Sequence, residues 1–422
     1  MSVRAALARP AFRSLLVGQV VSIVGDRLNY LALVALLSAH AAAAGTDRTA
    51  LLAALAWAML GPSLLVSPWA GALVDRWPLV RTLVVTDLVR AFVIAAIPLA
   101  YAAGGGALGP VFALVAIAYV LNAFFLPARS ALPPHLVDPA SLAAGNAVLV
   151  LGGVVATLVG TSLGGPAVDR WGPAVALWID AATYLVSVAA LAMILRGGIA
   201  AAPGADAPPV MAPSGVRRAI ARAVADVGEG WRIALVTPAA RGPLVAAVST
   251  WIAGGVLHVA GTSHVQQGSI AVTGLGLLLG ALAVGALTGT AFVLRRERHR
   301  PVDRGRALAI GLVGAGLGLL GFAATGTFAV MAAAGFVMGL FAAPVLFLAE
   351  TALQEAVVPG ARARLFAARD FLSRAAFLVT AAVAAPAARA WGDGAVIAAG
   401  AAVLVVLGLA TAAARGRGPA AG

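Results

Sequence analysis

Sixteen acidic side chains are scattered over 422 residues, and a few fall in stretches otherwise built from Ala, Leu, Val and Gly. An ionisable group in an apolar helix is costly, so it marks a proton path, an ion path or a structural pair. Asp26 is the first of these. Gln19, Ser22, Asp26 and Asn29 follow one another at steps of three, four and three, which puts all four on one helical face. A carboxylate in such a stripe suits reversible proton carriage. Asp180, Glu350 and His258 occupy comparable settings and are the alternative proton sites, with structural pairing the other reading of Asp180 and Glu350. His258 alternatively is a hydrogen-bonded packing residue. Asp87 with Arg90, and Asp370 with Arg374, are spaced for structural pairing within a helix. Polar and aromatic residues sharing these helices are candidate substrate contacts. They are Gln19, Ser22, Asp26, Asn29 and Tyr30 in the first apolar stretch, Tyr119, Asn122 and Arg129 in the fourth, and Trp251, His258 and Thr262 in the seventh.

The elements that carry these groups must be membrane helices. Hydrophobic residues make up 62% of the chain and charged residues 11%, and the mean hydropathy is +0.99. A soluble domain runs at about 25% charged. A bilayer core takes about 20 apolar residues per helix. Breaks at Gly, Pro and Arg clusters then predict twelve spans, at roughly 12–39, 50–74, 80–103, 109–128, 141–168, 173–195, 242–265, 270–294, 306–325, 327–349, 362–388 and 393–413. The first is too long for a secretory signal, whose apolar core is roughly 7–15 residues.

All 29 basic residues are arginine. With the N-terminus in the cytoplasm, 25 of them fall in cytoplasmic segments or helix ends, Arg90 counted among these. Arg48, Arg170 and Arg389 fall outside, and Arg27 lies within the first span. That asymmetry predicts a multi-pass protein with both termini cytoplasmic. It also assigns the net charge of +13 to topology rather than to nucleic acid. The absence of cysteine excludes disulfides and thiolate metal sites. The absence of lysine excludes a phosphate-binding loop of the G-x-x-x-x-G-K type. Gly104/Gly106/Gly109 and Gly316/Gly318/Gly321 match G-x-G-x-x-G, but neither follows a strand. No enzymatic constellation and no metal or organic cofactor is expected. Transport energised by this chain's own ATP hydrolysis is not expected.

Three segments follow: an N-terminal six-helix bundle (1–196), a cytoplasmic linker (197–240) and a C-terminal six-helix bundle (241–422). The linker opens on the low-complexity run from Ala200 to Pro209 and continues from Val216 to Val236 as an amphipathic surface helix. Pro139, Pro166, Trp171 and Gly172 recur as Pro359, Pro386, Trp391 and Gly392, each shifted by 220 residues. Near the start of each half, Pro10-Ala-Phe-Arg13 corresponds to Pro238-Ala-Ala-Arg241. A two-fold repeat of six helices places a substrate site near the midplane between the halves.

The segment from Gly71 to Arg81 reads G-x-x-x-D-R-x-x-x-x-R, with Asp75, Arg76 and Arg81 in a turn between two spans. It resembles the signature loop of the major facilitator superfamily of secondary transporters. Further stretches are similar to its twelve-helix bacterial drug:proton antiporter (macrolide-exporter-like) branch. They are Gln19 and Gly25-Asp26, Asp87-Leu-Val-Arg90, Pro127-Ala-Arg129, Leu142 to Asn146, and Arg364 to Asp370. The resemblance implies an all-α integral membrane fold of two pseudo-symmetric six-helix bundles. It also implies a gate in which Asp75 docks on the N-terminal end of the eleventh span, which carries Asp370, while Arg76 and Arg81 pair across it. A carboxylate gains there from the helix dipole and free N–H groups. The fifth span should carry G-P-x-x-G-G; here Gly160-Thr161-Ser162-Leu163-Gly164-Gly165 has Thr where Pro belongs. Gly160, Gly164 and Gly165, facing the eighth span's Gly276, Gly280, Gly285 and Gly289, would form an outer gate, or else pack ordinarily.

These readings converge on a proton-coupled exporter of hydrophobic or amphipathic small molecules. It would act as a monomer in a bacterial inner membrane, with the lipid bilayer and its substrate as partners. A lipid or lysophospholipid translocator and a siderophore exporter are the alternatives within transport. A non-transporting sensor or scaffold is the alternative outside it.

Overall fold

In the computed structural model, residues 3–74, 77–198, 216–267, 272–297, 299–300 and 302–415 are described, and they form helices and turns without a strand. The helices are α1 (Val3–Ala8), α2 (Pro10–Ala44), α3 (Arg48–Val74), α4 (Leu79–Ala103), α5 (Leu108–Ala131), α6 (Leu142–Arg196), α7 (Val216–Val236), α8 (Pro238–Val256), α9 (Thr262–Gln267), α10 (Val272–Glu297), α11 (Arg304–Ala323), α12 (Phe328–Ala356), α13 (Pro359–Trp391) and α14 (Asp393–Arg415). A π-helical turn at Leu257–Gly261 joins α8 to α9 into one span.

Among the described residues, eleven helical segments are long and apolar enough to cross a membrane. The twelfth expected span is inside α6. Its 55 residues are broken at Gly172, where φ is 80° and ψ is 163°. That region of backbone space is open essentially to glycine alone. Each arm exceeds the roughly 20 residues that a bilayer core requires. The chain is therefore a multi-pass membrane protein.

The 220-residue repeat extends to the backbone. Gly392, the counterpart of Gly172, has φ 84° and ψ 156° and stands between α13 and α14. Pro139 and Pro359 each open a helical segment, and Pro166 and Pro386 each lie inside the helix that ends at the glycine. The two copies thus bend at the same place for the same reason.

The residues fall into two compact units, Met1–Ala44 with Trp57–Ala223, and Gly45–Ala56 with Val224–Gly422. In the first unit α2 packs along both arms of α6. The small face expected to gate is used here. A Cβ at Gly160 would lie 2.8 Å from the Val24 carbonyl oxygen, and one at Gly164 would lie 3.4 Å from Leu28 Cα. Gly165 is buried beside them. From the other side, a Cβ at Gly18 would meet Ser187 Oγ at 3.1 Å. Small residues on both helices let the backbones approach, which is how membrane helices gain packing energy. The first unit's core continues to one end through Phe12, Leu15, Leu79, Leu83, Leu132 and Leu191.

In the second unit the other glycine ladder meets α12. A Cβ at Gly289 would overlap the Leu340 carbonyl, and one at Gly285 the Phe336 carbonyl. Gly160, Gly164, Gly285 and Gly289 thus each make close helix contacts inside their own unit. Gly289→Val should force α10 and α12 apart and cost about 1–3 kcal/mol, as overpacking does. Gly71→Ala, where a Cβ meets open space, should stay within about 0.5 kcal/mol. Thermal unfolding of the two purified variants in one detergent checks the contrast.

Candidate functional site

Helices α2, α4 and the second arm of α6 bring one polar cluster together inside the first unit. Asp26 is at the middle of α2, and Arg90 and Asp87 are at the middle of α4. Asp180, Thr183, Tyr184 and Ser187 line one face of α6. The Arg90 guanidinium is the hub. Its Nη2 donates to Asp26 Oδ1 at 3.0 Å and to the Tyr184 hydroxyl at 2.5 Å. Its Nη1 donates to Asp87 Oδ1 at 3.4 Å. Tyr184 in turn donates to Asp26 Oδ1. The guanidinium carbon also lies 4.2 Å from the centre of the Tyr184 ring, a cation–π contact. Arg90 Nε has no hydrogen-bond partner among the described residues.

The carboxylates differ in access. Asp87 is wholly buried and accepts a second bond, 2.7 Å, from Ser187 Oγ. Asp180 is wholly buried too, accepting from Asn29 Nδ2 at 2.7 Å and from Thr183 Oγ1 at 3.3 Å. Asp26 alone keeps 38% of its side chain exposed, against 7% for Arg90. Asp180 Oδ1 and Thr183 Oγ1 occupy the space a Cβ at Gly25 would need, so the glycine before Asp26 seats the neighbouring carboxylate. Two carboxylates, Asp26 and Asp87, thus pair with one buried guanidinium, and Asp26 is the accessible one.

The structure relocates several sequence readings. The polar stripe of α2 is turned into its own unit. Gln19 Nε2 donates to the Leu149 carbonyl at 3.0 Å, Ser22 Oγ to the Gln19 carbonyl, and Asn29 to Asp180. Arg90, counted as a cytoplasmic-end arginine, is at mid-helix and holds Asp26 as well as Asp87. Removing one residue from a count of 25 leaves the charge asymmetry standing. Asp370 pairs with Arg369 at 3.0 Å rather than with Arg374. Glu350 is on the exposed face of α12, short of its end. Tyr30, Tyr119, Asn122 and Arg129 are half-buried. Arg81 is exposed at the start of α4, and Gly71 is in the last turns of α3. Asp75 and Arg76 lie outside the described residues.

In the second unit, His258 is buried in the π-helical turn. Its Nε2 is 3.0 Å from the Leu52 carbonyl, and its ring is 5.7 Å from that of Phe377. Trp251 meets Phe377 edge-on at 6.1 Å, and Thr262 donates to the Leu257 carbonyl. Each of the three thus has a partner within the second unit. Arg90, Tyr184 and Ser187 were missed as site residues. The available signal was an arginine at membrane depth, itself a functional marker.

No family model matches the chain. Two uncharacterised MFS-type transporters, from Mycobacterium bovis and Mycobacterium tuberculosis, are each 29% identical over 343 residues, covering 77% of this chain and 73% of their own length. Among solved structures, a mutant of the peptide transporter POT matches with a TM-score of 0.75 at 13% identity, over 97% of this chain and 95% of that one. The nucleoside transporter NupG, also as a mutant, matches with a TM-score of 0.71 at 13% identity, over 95% and 99%. These relatives and neighbours are transporters rather than enzymes. At such identities the structural likeness speaks for the fold alone. Taken with the twelve spans, the chain has the major facilitator fold, and its likenesses support a membrane transporter of the major facilitator type.

Proposed function

We propose that the chain is a proton-coupled secondary transporter exporting hydrophobic or amphipathic small molecules, cations above all, by alternating access in a bacterial inner membrane, with both termini cytoplasmic. The observation that carries this reading is Asp26, an accessible carboxylate at mid-helix tied to a buried Arg90 and to Tyr184. A cationic substrate is the one that an accessible carboxylate such as Asp26 suits. A proton and a cationic substrate competing for Asp26 would be antiport in its simplest form. Each would release the site to the other, and neither could cross unopposed. Alternating access between two repeats supplies the rest of the cycle.

The test is flux. Purified protein is reconstituted in liposomes with an imposed proton gradient, and a lipophilic cation such as ethidium is followed. Ethidium movement that collapses when the gradient is dissipated supports the reading. Folded protein that moves no lipophilic cation sinks it, and labelled lysophospholipids are then the substrate to try.

A further inference from the structure

We propose that Arg27 is the anion-binding half of a dipolar site on α2, so that the molecule taken there is a zwitterionic amphipath with its cationic centre on Asp26 and its anionic group on Arg27. The inference rests on the exporter reading only for the role of Asp26.

Arg27 is the central residue of α2, which runs from Pro10 to Ala44. A charge at that depth is costly and is kept where it faces a polar space or meets a partner. Arg27 is exposed and makes no hydrogen bond or ion pair among the described residues. The carboxylate next to it in sequence does not serve it. Asp26 accepts from Arg90 and from Tyr184, both on Oδ1. Its Oδ2 takes no bond among the described residues. Consecutive residues of a helix diverge by about 100°, so the two side chains leave α2 in different directions. One carboxylate oxygen and one guanidinium are thus left open at the same depth without neutralising each other.

The Arg27 stem is seated by α6. A Cβ at Gly160 would lie 2.8 Å from Arg27 Cβ, so the glycine leaves room for the arginine where it departs from α2. Across the site, half-buried Tyr119 of α5 stands within electrostatic reach of Asp26, Arg27 and Tyr30. It marks the space that both charges face. Tyr30 is four residues past Asp26 and three past Arg27, and falls between them on the helical wheel. Two tyrosine rings beside an open carboxylate oxygen and an open guanidinium suit a ligand with an apolar or aromatic body and both charges. The guanidinium matches a carboxylate or a phosphate, which it can hold through two parallel hydrogen bonds. A purely cationic ligand leaves Arg27 without a counter-charge, and a purely anionic one meets the charge of Asp26. A zwitterion satisfies both groups at once.

A matched pair of dyes tests the anionic half. Rhodamine B carries a free carboxylate beside its cationic ring system, and its ethyl ester carries the cation alone. Fluorescence polarisation with the purified full-length protein in a nonionic detergent reads the affinity of each dye with no gradient imposed. Wild type should bind the acid about tenfold more tightly than the ester, the usual size of one charge-assisted contact. Arg27→Gln should abolish that preference, and Arg27→Lys, which keeps the charge, should retain it. Failure to bind the acid, equal affinities in wild type, or a preference that persists in Arg27→Gln would overturn the proposal. Gradient-driven flux of the ester in liposomes reads the exporter separately. A preference set by Arg27 without flux would sink the exporter and keep the site, and flux without a preference would do the opposite.

Discussion

Arg90→Met destabilises the first unit by about 3–5 kcal/mol, the usual cost of removing one partner from a buried ion pair. The reason is Asp87. It is wholly buried, and its other bond is to Ser187 Oγ, a neutral donor. Losing the guanidinium strands that carboxylate in a medium where an uncompensated charge is expensive. It also leaves the Tyr184 hydroxyl without its donor. The loss should be read as a fall in the unfolding midpoint, followed by size-exclusion of heated detergent samples. The second-site pattern identifies the cause. Adding Asp87→Asn to Arg90→Met should recover most of the stability, because it removes the stranded charge. Adding Asp26→Asn should recover little, because Asp26 is 38% exposed whereas Asp87 is wholly buried. Equal rescue by the two would mean that Asp26 is as dependent on Arg90 as Asp87 is, and the division between an inner and an accessible carboxylate would fall.

The positions of the helices were legible because composition and breaks carry them. Gly and Pro punctuate the chain where the backbone turns, and the 220-residue shift pointed to Gly172 and Gly392, which have matching dihedral angles. Asp26 and Asp180 stood out because carboxylates are rare in such stretches. The partner of Asp26 was not legible. Arg90 is three residues from Asp87 and 64 from Asp26, so spacing rules reach the first pair and not the second. An uncertain span boundary then moved Arg90 to a helix end, where arginine normally marks topology. The stripe on α2 was read correctly as one face, but a periodicity does not say what that face meets. It meets α6, through Leu149 and Asp180. The same limit applies to the glycine ladders. Small residues at intervals of four announce a close contact without naming the helix, and Gly160 and Gly289 close onto α2 and α12. Asp370 chose its sequence neighbour Arg369 over the residue one turn away.

Asp26→Asn should reduce gradient-driven ethidium flux to the level of protein-free liposomes while leaving the fold intact. The amide can still accept from Arg90 and Tyr184 through its oxygen, and Asp87 still neutralises Arg90, so no buried charge is stranded. What is lost is the accessible group able to exchange a proton for a cation. Tyr184→Phe separates this role from mere packing. It keeps the ring stacked under the guanidinium but removes the hydroxyl that links Asp26 to Arg90. Flux should fall and its pH profile should move, whereas a purely structural tyrosine would leave the profile in place. Asp180→Asn is the control for the inner carboxylate. Its bonds come from the neutral donors Asn29 and Thr183, and an amide can keep one of them. If flux survives Asp26→Asn and disappears with Asp180→Asn, proton carriage belongs to the inner carboxylate, and Asp26 serves only to hold Arg90. If it survives both, the cluster is architecture and the coupling group must be sought elsewhere, with Glu350 on α12 the first to substitute.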